Sequence, residues 1–185
     1  MVLGAGAAPS PAGSRPVALT WSGPAQPSGR PKGAVLAWDV GHNPLGRAHV
    51  LAGVLQQRFD VEIWGARFER YGSRVWAPLR DSQIPVASFA GTTFPGHLAR
   101  MQAVAREIDA DALWVSKPRL PSYLLGALAK EHRNRPLLLD VDDHELSFFA
   151  EDEGTDIDEL RRRRPDADLA LPFERAWRNP DTRGG

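Results

Sequence analysis

Residues 33–40, GAVLAWDV, and the residues that follow them, 41–59, GHNPLGRAHVLAGVLQQRF, decide the fold of this chain. The first stretch is short, apolar and bounded by glycine at each end, which predicts a buried strand. The second stretch begins as a polar loop and continues as a helix, because apolar side chains recur at helical spacing, at Leu51, Val54 and Leu55. Together they predict a strand, a loop and a helix in succession.

The same alternation continues along the chain. Further strands are predicted at 60–68, 84–91, 110–118 and 135–143, with helices at 94–108 and 120–133 between them. The second of these helices is expected to start at Pro121 or to be capped by Ser122. Strands that alternate with helices predict an α/β fold, a Rossmann-like parallel sheet with helices on both faces. Ligands of such sheets bind at the carboxyl ends of the strands.

Composition divides the chain into three parts. Residues 1–32 are rich in Ala, Pro, Gly and Ser and contain no acidic residue, which predicts a disordered extension. Residues 33–150 are predicted to form the Rossmann-like domain. Residues 151–185 are first acidic and then rich in arginine, which is typical of a linker or tail, with one short helix expected near 157–164.

Composition also excludes several classes of function. The formal net charge of the 185 residues is zero, and this disfavours a nucleic-acid binder. The absence of cysteine excludes disulfides, cysteine zinc sites and a cysteine nucleophile. No apolar run approaches the roughly 20 residues that cross a bilayer, and no signal peptide is recognisable. We therefore expect a cytoplasmic protein, and nothing in the sequence supports peripheral membrane association.

The loop after the first strand is the first candidate site and contains Gly41, His42, Asn43 and Gly46. Glycine at the start of a helix lets backbone N–H groups approach an anion or a sugar hydroxyl. The loop does not match G-x-G-x-x-G and lacks a P-loop lysine. An ordinary turn that needs the conformational freedom of glycine is the structural alternative.

Two cations follow the fourth strand. Lys117 and Arg119 lie where the chain leaves the predicted sheet, and a pair of cations at this position can hold a phosphate or a carboxylate. They can instead pair with the aspartates of the fifth strand, which need counter-charge because several carboxylates lie close together. We favour this pairing. Three other histidines, His49, His97 and His132, lie in helical patterns and are expected to be packing or surface residues.

The fifth strand ends in a dense polar cluster, which consists of Asp140, Asp142, Asp143, His144 and Glu145. Such a cluster suits Mg²⁺ or Mn²⁺, an Asp-x-Asp phosphohydrolase of the haloacid dehalogenase kind, or a sugar-transfer cleft. The phosphohydrolase is disfavoured because His144 replaces the expected threonine and the motif is on the fifth strand. Structurally, Asp142 or Asp143 can cap a following helix while Asp140 pairs with an arginine or lysine.

With these residues identified, the chain resembles the N-terminal domain of a GT-B-fold glycosyltransferase of the large retaining group called family 4. The resemblance is carried by residues 35–57, 61–66 and 111–149, and LLLDVDDHEL (137–146) is its most specific motif. It implies an acceptor-binding domain that faces a C-terminal domain for the nucleotide-sugar donor, with no metal and no cofactor. The residues that would line the cleft are Gly41, His42, Asn43, Lys117, Arg119, Asp143, His144 and Glu145.

The family's donor domain has no counterpart in these 185 residues. We therefore expect a truncated or split enzyme, an acceptor-side half that cannot transfer sugar alone because it lacks the contacts to the donor's pyrophosphate. One alternative is a stand-alone interaction module that docks a separate donor subunit, for which an exposed apolar patch on the cleft face would be evidence. The other is a metal-dependent hydrolase that uses Asp140, Asp142 and His144.

Overall fold

A computed structural model of the protein describes residues 18–23, 29–93 and 95–141. These residues form a six-stranded sheet and three α-helices. The strands are β1 (Thr20–Ser22), β2 (Lys32–Ala37), β3 (Asp60–Arg67), β4 (Val86–Ala90), β5 (Ala112–Ser116) and β6 (Leu137–Asp140). The helices are α1 (Pro44–Leu55), α2 (Gly96–Glu107) and α3 (Leu120–Arg133), and short 3₁₀ turns occupy Glu69–Tyr71 and Ala77–Leu79.

The sheet has the strand order β1-β4-β3-β2-β5-β6. Strands β2 to β6 are parallel, and β1 pairs antiparallel with β4. Strand β2 has β3 on one side and β5 on the other, so that Ala37 is in register with both Gly65 and Ser116. The direction of strand addition therefore reverses between β2 and β5. The predicted Rossmann-like α/β fold is confirmed.

Helices cover both faces of the sheet, as the sequence predicts. Alternate residues of β2 point to opposite faces, so that Val35 packs beneath α1 while Leu36 packs beneath α2 and α3. Both side chains are completely buried, which contributes about 1.5–3 kcal/mol for each. Strands buried on both faces appear in the sequence as continuous apolar runs, and this is why β2 is recognisable from residues 33–40.

Helix α3 packs closely against the sheet at Gly126. A Cβ atom on Gly126 would lie 2.8 Å from Cγ2 of Val115, so no larger residue fits without movement. The helix ends where Asn134 adopts a left-handed conformation with φ of 48°. It begins at Leu120 with Pro121 as its second residue, which is close to the predicted start. Ser122 is inside the helix, and its hydroxyl bonds the carbonyl of Lys117 (2.7 Å) instead of capping.

The expectation that residues 1–32 are disordered is wrong for strand β1. The carbonyl of Thr20 accepts a hydrogen bond from the Ser88 hydroxyl (3.1 Å), and Trp21 packs edge-on against Trp64 with ring centroids 5.3 Å apart. Residues 1–17 and 24–28 lie outside the described residues. So do residues 142–185, including the short helix expected near 157–164.

Residues 68–85, which connect β3 to β4, cross the carboxyl edge of the sheet without an α-helix. The two 3₁₀ turns give this connection its shape and bring Tyr71 and Trp76 towards the end of β2. The backbone N–H of Trp76 donates to the carbonyl of Val40 (2.9 Å), which fastens the connection to the loop after β2. Within the described ranges, no helix has the length and apolar character required to cross a membrane.

Candidate functional site

The candidate site lies at the carboxyl edge of the sheet, at the ends of the paired strands β2 and β5, whose following helices pack on opposite faces. In open parallel sheets, the point at which strand order reverses leaves a crevice outside the carboxyl ends of the strands, and ligands bind there. In this chain the loop after β2 supplies Trp38 to Asn43, and the turn after β5 supplies Lys117 and Arg119. Strand β6 ends beside them at Asp140.

Asp39 is the structural centre of this edge, and it was not among the residues predicted from the sequence. Its completely buried carboxylate accepts hydrogen bonds from the backbone N–H groups of Gly41 (2.6 Å) and Phe68 (2.9 Å). It also lies 2.8 Å from Nδ1 of His42. A buried carboxylate needs such partners, and these three bonds connect the loop after β2 to the end of β3.

The contact with Asp39 selects one tautomer for the neutral form of the His42 ring. Because the carboxylate of Asp39 accepts, Nδ1 of His42 carries the proton and Nε2 presents a lone pair. The His42 side chain is about one quarter exposed, at 26%. The pair can therefore orient a ligand hydroxyl towards Nε2 and accept its proton in a reaction.

His42 belongs to an aromatic platform formed by Trp38, His42 and Tyr71. The rings of His42 and Tyr71 are stacked, with centroids 3.8 Å apart and planes 13° apart. Trp38 meets both rings edge-on, at 5.0 and 5.7 Å. The guanidinium of Arg119 lies 5.0 Å from the centre of the Trp38 ring, and that of Arg70 lies 4.5 Å from the centre of Tyr71. The platform therefore packs mostly on itself, since Trp38 is buried and Tyr71 lies between the His42 ring and the Arg70 guanidinium.

The turn after β5 has a fixed conformation. Lys117 is left-handed, with φ of 56°, and its backbone N–H donates to the carbonyl of Asp140 (3.2 Å). The carbonyl of Lys117 accepts from the N–H of Arg119 (2.7 Å). The hydroxyl of Ser116, just before this turn, is buried and has no hydrogen-bond partner among the described residues. A buried hydroxyl without a partner is costly, and this one lies at the end of β5, where a ligand or water could satisfy it.

Asp140 pairs with an arginine, as the structural interpretation of the sequence predicts. Arg47 of α1 donates to both oxygens of the Asp140 carboxylate, at 2.8 and 2.7 Å. Arg47, and to a smaller extent Lys117, holds the pKa of Asp140 below its usual value. The expected pairing of Lys117 and Arg119 with the other aspartates that follow strand five stays a prediction, since Asp142 and Asp143 lie outside the described residues. Bidentate geometry of this kind is the stronger form of ion pair.

The predicted glycines have packing roles in the structure. A Cβ atom on Gly41 would lie 3.1 Å from the carbonyl oxygen of Gly72, and one on Gly46 would lie 3.2 Å from the Trp76 ring. The N–H of Gly41 donates to Asp39, and the N–H of Gly46 donates to the carbonyl of Asn43 (2.8 Å). These donors are already used inside the loop, which favours the structural interpretation of the glycines over an anion site. Asn43 is exposed at the start of α1 and makes no side-chain cap.

The remaining predicted residues, Asp142, Asp143, His144 and Glu145, lie outside the described residues. In the parts of the chain that the structure describes, no group of three acidic or histidine side chains could hold a metal ion. At the opposite, amino edge of the sheet lies a small depression beside Lys32, Glu62 and Asp109. Burial raises the pKa of Glu62 there, while Lys32 and Asp109 form an exposed ion pair (2.6 Å). The amino edge lacks the aromatic platform, so we place the candidate site at the carboxyl edge.

Comparisons of the chain with models of protein families, with curated proteins and with solved structures found no match.

Proposed function

We propose that this chain supplies the acceptor-binding half of a glycosyltransferase, an enzyme that moves a sugar from a nucleotide-sugar donor to an acceptor. The observation that carries the proposal is the aromatic platform beside the Asp39–His42 pair, at the point where strand order reverses. Clefts at this point of an α/β sheet are the usual ligand sites. The platform supplies aromatic side chains and, in the neutral form of His42, an oriented hydrogen-bond acceptor, and sugars contact groups of both kinds.

Each part of the platform has a role in the proposed complex. The C–H groups of a sugar ring are weakly apolar and pack against aromatic side chains, here the half-buried Tyr71, whose two ring faces are already covered by His42 and Arg70 so that its edge makes the contact. Nε2 of His42 accepts a hydrogen bond from an acceptor hydroxyl, because Asp39 holds the proton on Nδ1. Tyr123, which is exposed in the first turn of α3, is a further aromatic side chain near the carboxyl edge. Few, fixed polar groups on an apolar floor are typical of small-molecule sites.

The donor belongs to a separate C-terminal domain or subunit in this proposal. Transfer of a sugar leaves a diphosphate, and the charge that develops on it needs donors held in place. Lys117 and Arg119 lie on the side of the carboxyl edge where they could contribute to that stabilisation. By itself, the chain should bind acceptor and catalyse no transfer. Turnover by the purified chain with a panel of nucleotide sugars and acceptors would refute this part of the proposal.

Acceptor binding is tested by ligand-observed NMR. We would record saturation transfer from the protein to a panel of hexoses, inositols, N-acetylhexosamines and their glycosides. Loss of the Tyr71 ring in Tyr71→Ala removes its contact with the ligand and its support of His42, and it should weaken the best ligand by about 0.5–1.5 kcal/mol, which corresponds to roughly twofold to tenfold in Kd. His132→Ala, on an exposed part of α3, is the matched control and should bind as the wild type does. Equal binding by the wild type and Tyr71→Ala, or no binding at all, contradicts the proposal.

The two alternatives have less support. A module that docks a donor subunit would expose an apolar patch on its cleft face, whereas the exposed aliphatic side chains lie on the outer side of α1 and along β6 and its next residue. They are Val50, Val54, Leu138, Leu139 and Val141. A hydrolase would use Asp140, whose two oxygens are both bonded by Arg47. Its other ligands, Asp142 and His144, lie outside the described residues.

A further inference from the structure

Strand β1 is held on the sheet by a small contact surface. It has three residues and pairs with β4 at the outer edge of the sheet. Trp21 packs edge-on against Trp64 and remains about half exposed, at 48%. A short edge strand buries little apolar area, and elements of this kind are among the parts of a fold that open most easily. Strand β1 can therefore leave the sheet while the central strands stay folded.

Arg67 joins β1 to the connection at 68–85. Strand β4 lies between β3 and β1, so the Arg67 side chain, at the end of β3, reaches across β4 to contact β1. Its Nη2 donates to the hydroxyl of Thr20 (3.2 Å), and its Nη1 donates to the carbonyl of Ser73 (2.6 Å). Its Nε is buried and has no partner among the described residues. The position of the guanidinium therefore depends on these two bonds.

Ser73 belongs to the part of the connection that builds the candidate site. Two residues before it, Tyr71 stacks on His42, and three residues after it, the N–H of Trp76 donates to the loop that follows β2 (2.9 Å). Between these two points, the bond from Arg67 to Ser73 ties the connection to the end of β3. Loss of that bond should loosen this part of the connection and leave Tyr71 less firmly placed.

We propose that β1 is a strap whose docking is coupled, through Arg67, to ligand binding at the candidate site. When β1 is docked, Thr20 holds the guanidinium where it bonds Ser73, and Tyr71 stays against His42. When β1 leaves the sheet, Arg67 loses one of its two anchors and the site loosens. Such coupling is reciprocal, so a ligand on the aromatic platform favours the docked strap, and a partner that takes up β1 weakens ligand binding. The regulation of ligand binding rests on the proposed function, whereas the coupling of β1 to the connection does not.

Amide hydrogen exchange of the full chain, followed by NMR, tests the coupling without a ligand. Thr20→Val removes the hydroxyl but keeps the side-chain size and the backbone pairing with β4. The amides of Gly72 and Trp76, which are hydrogen-bonded on either side of Ser73, report on the connection. They should exchange roughly threefold to tenfold faster in the variant, which is the effect of losing one hydrogen bond.

Undocking of the strap itself is tested with Trp21→Ala. This variant removes the packing on Trp64, and it should fold because Trp21 is only half buried in the native protein. The amides of β1 and those of Gly72 and Trp76 should all exchange faster than in the wild type. Acceleration confined to β1 would overturn the proposal, since the strap would then open without affecting the connection.

Two controls separate the coupling from other effects of substitution. Ser22→Ala changes the same strand at a side chain to which Arg67 donates no hydrogen bond, so Gly72 and Trp76 should exchange at the wild-type rate. In an Arg67→Gln background, Thr20→Val should have no further effect on these amides, because the route between the two elements is already removed.

Three results with Thr20→Val would overturn the proposal. Unchanged exchange of Gly72 and Trp76 would show that the connection does not sense β1. Equal acceleration in the core of α3, for example at Leu125, would show a general loss of stability. An undiminished effect in the Arg67→Gln background would show that the coupling does not pass through Arg67. None of these measurements uses a sugar, so this proposal and the proposed function can fail separately.

Discussion

Acid should destabilise this protein through one buried histidine, His97. Its side chain is only 2% exposed, in the first turn of α2. Nδ1 accepts a weak hydrogen bond from the N–H of Thr92 (3.4 Å), while Nε2 has no partner among the described residues. Burial, with a smaller contribution from the nearby Arg100, lowers the pKa of His97 from 6.5 to about 4. The charged form is therefore disfavoured in the folded state.

The sign of the effect follows from the difference in proton uptake. Between pH 6.5 and about pH 4, the unfolded chain protonates His97 while the folded chain does not, so stability falls as the pH falls through this window. The full difference in pKa corresponds to about 3.4 kcal/mol, at 1.36 kcal/mol per pKa unit. At pH 5 the loss relative to pH 7.5 is about 2 kcal/mol, which is a large fraction of the stability of an ordinary domain.

Urea unfolding, followed by circular dichroism at pH 7.5, 6 and 5, measures this loss. His97→Gln removes the titrating group, so the variant should lose about 2 kcal/mol less than the wild type between pH 7.5 and pH 5. His132→Gln, on an exposed part of α3, is the control and should follow the wild type. If His97→Gln folds too weakly to measure, His97→Leu provides the same comparison. Parallel pH profiles for the wild type and the His97 variants would refute the reasoning.

Three further predictions concern the site and its scaffold. Asp39→Ala leaves buried N–H groups without acceptors and should lower the free energy of unfolding by about 3–5 kcal/mol; a loss below about 1 kcal/mol in chemical denaturation would contradict this. Gly126→Ala should lower the free energy of unfolding by about 1–3 kcal/mol because α3 has no room for a methyl group at this position. Gly53→Ala, with open space around it, should stabilise α1 by about 0.5–1 kcal/mol. Equal effects of the two substitutions in thermal unfolding would show that close packing at Gly126 does not determine the stability change. Arg47→Gln should raise the pKa of Asp140, as read by NMR titration. The ion pair stabilises the fold at pH values above the usual pKa of aspartate, and this stabilisation is lost as the pH falls through the lowered pKa of Asp140. An unchanged pKa of Asp140 in the variant would show that Arg47 is not what lowers it.

The main elements of the fold were predictable because their signals are local. Strands β2, β3 and β5 are apolar runs between polar residues, and α1 to α3 show helical periodicity. Strand β1 was not predictable, since its three residues are held by backbone pairing with β4, far along the chain. Its proline- and glycine-rich surroundings are typical of disorder. The apolar residues of the connection at 68–85 recur at neither helical nor strand spacing, so its path over the carboxyl edge depends on tertiary contacts.

The candidate site was predictable only in part, for a similar reason. Because the carboxyl ends of parallel strands lie at one edge of a sheet, the sequence predicts that His42, Lys117 and Arg119 share that edge, and the structure also has them there. Tyr71 was missed because it comes from the connection after β3. Asp39 did have a signal, an acidic residue directly after a buried strand and three positions before a histidine. A carboxylate at that position is buried by the fold itself, and a buried carboxylate requires nearby donors.

The loop after β2 favours a neutral, hydroxylated ligand over an anion. An anion site at the start of a helix depends on free backbone N–H groups, but Asp39 takes that of Gly41 and the first turn of α1 uses those of Leu45 and Gly46. Pro44 has no N–H to offer. What the loop presents instead is the lone pair of His42, oriented by a buried carboxylate and stacked on an aromatic ring. In its neutral form this ring would accept from a hydroxyl group and repel a phosphate oxygen, so in the proposed complex any anionic part of the ligand lies further along the edge, beside Lys117 and Arg119.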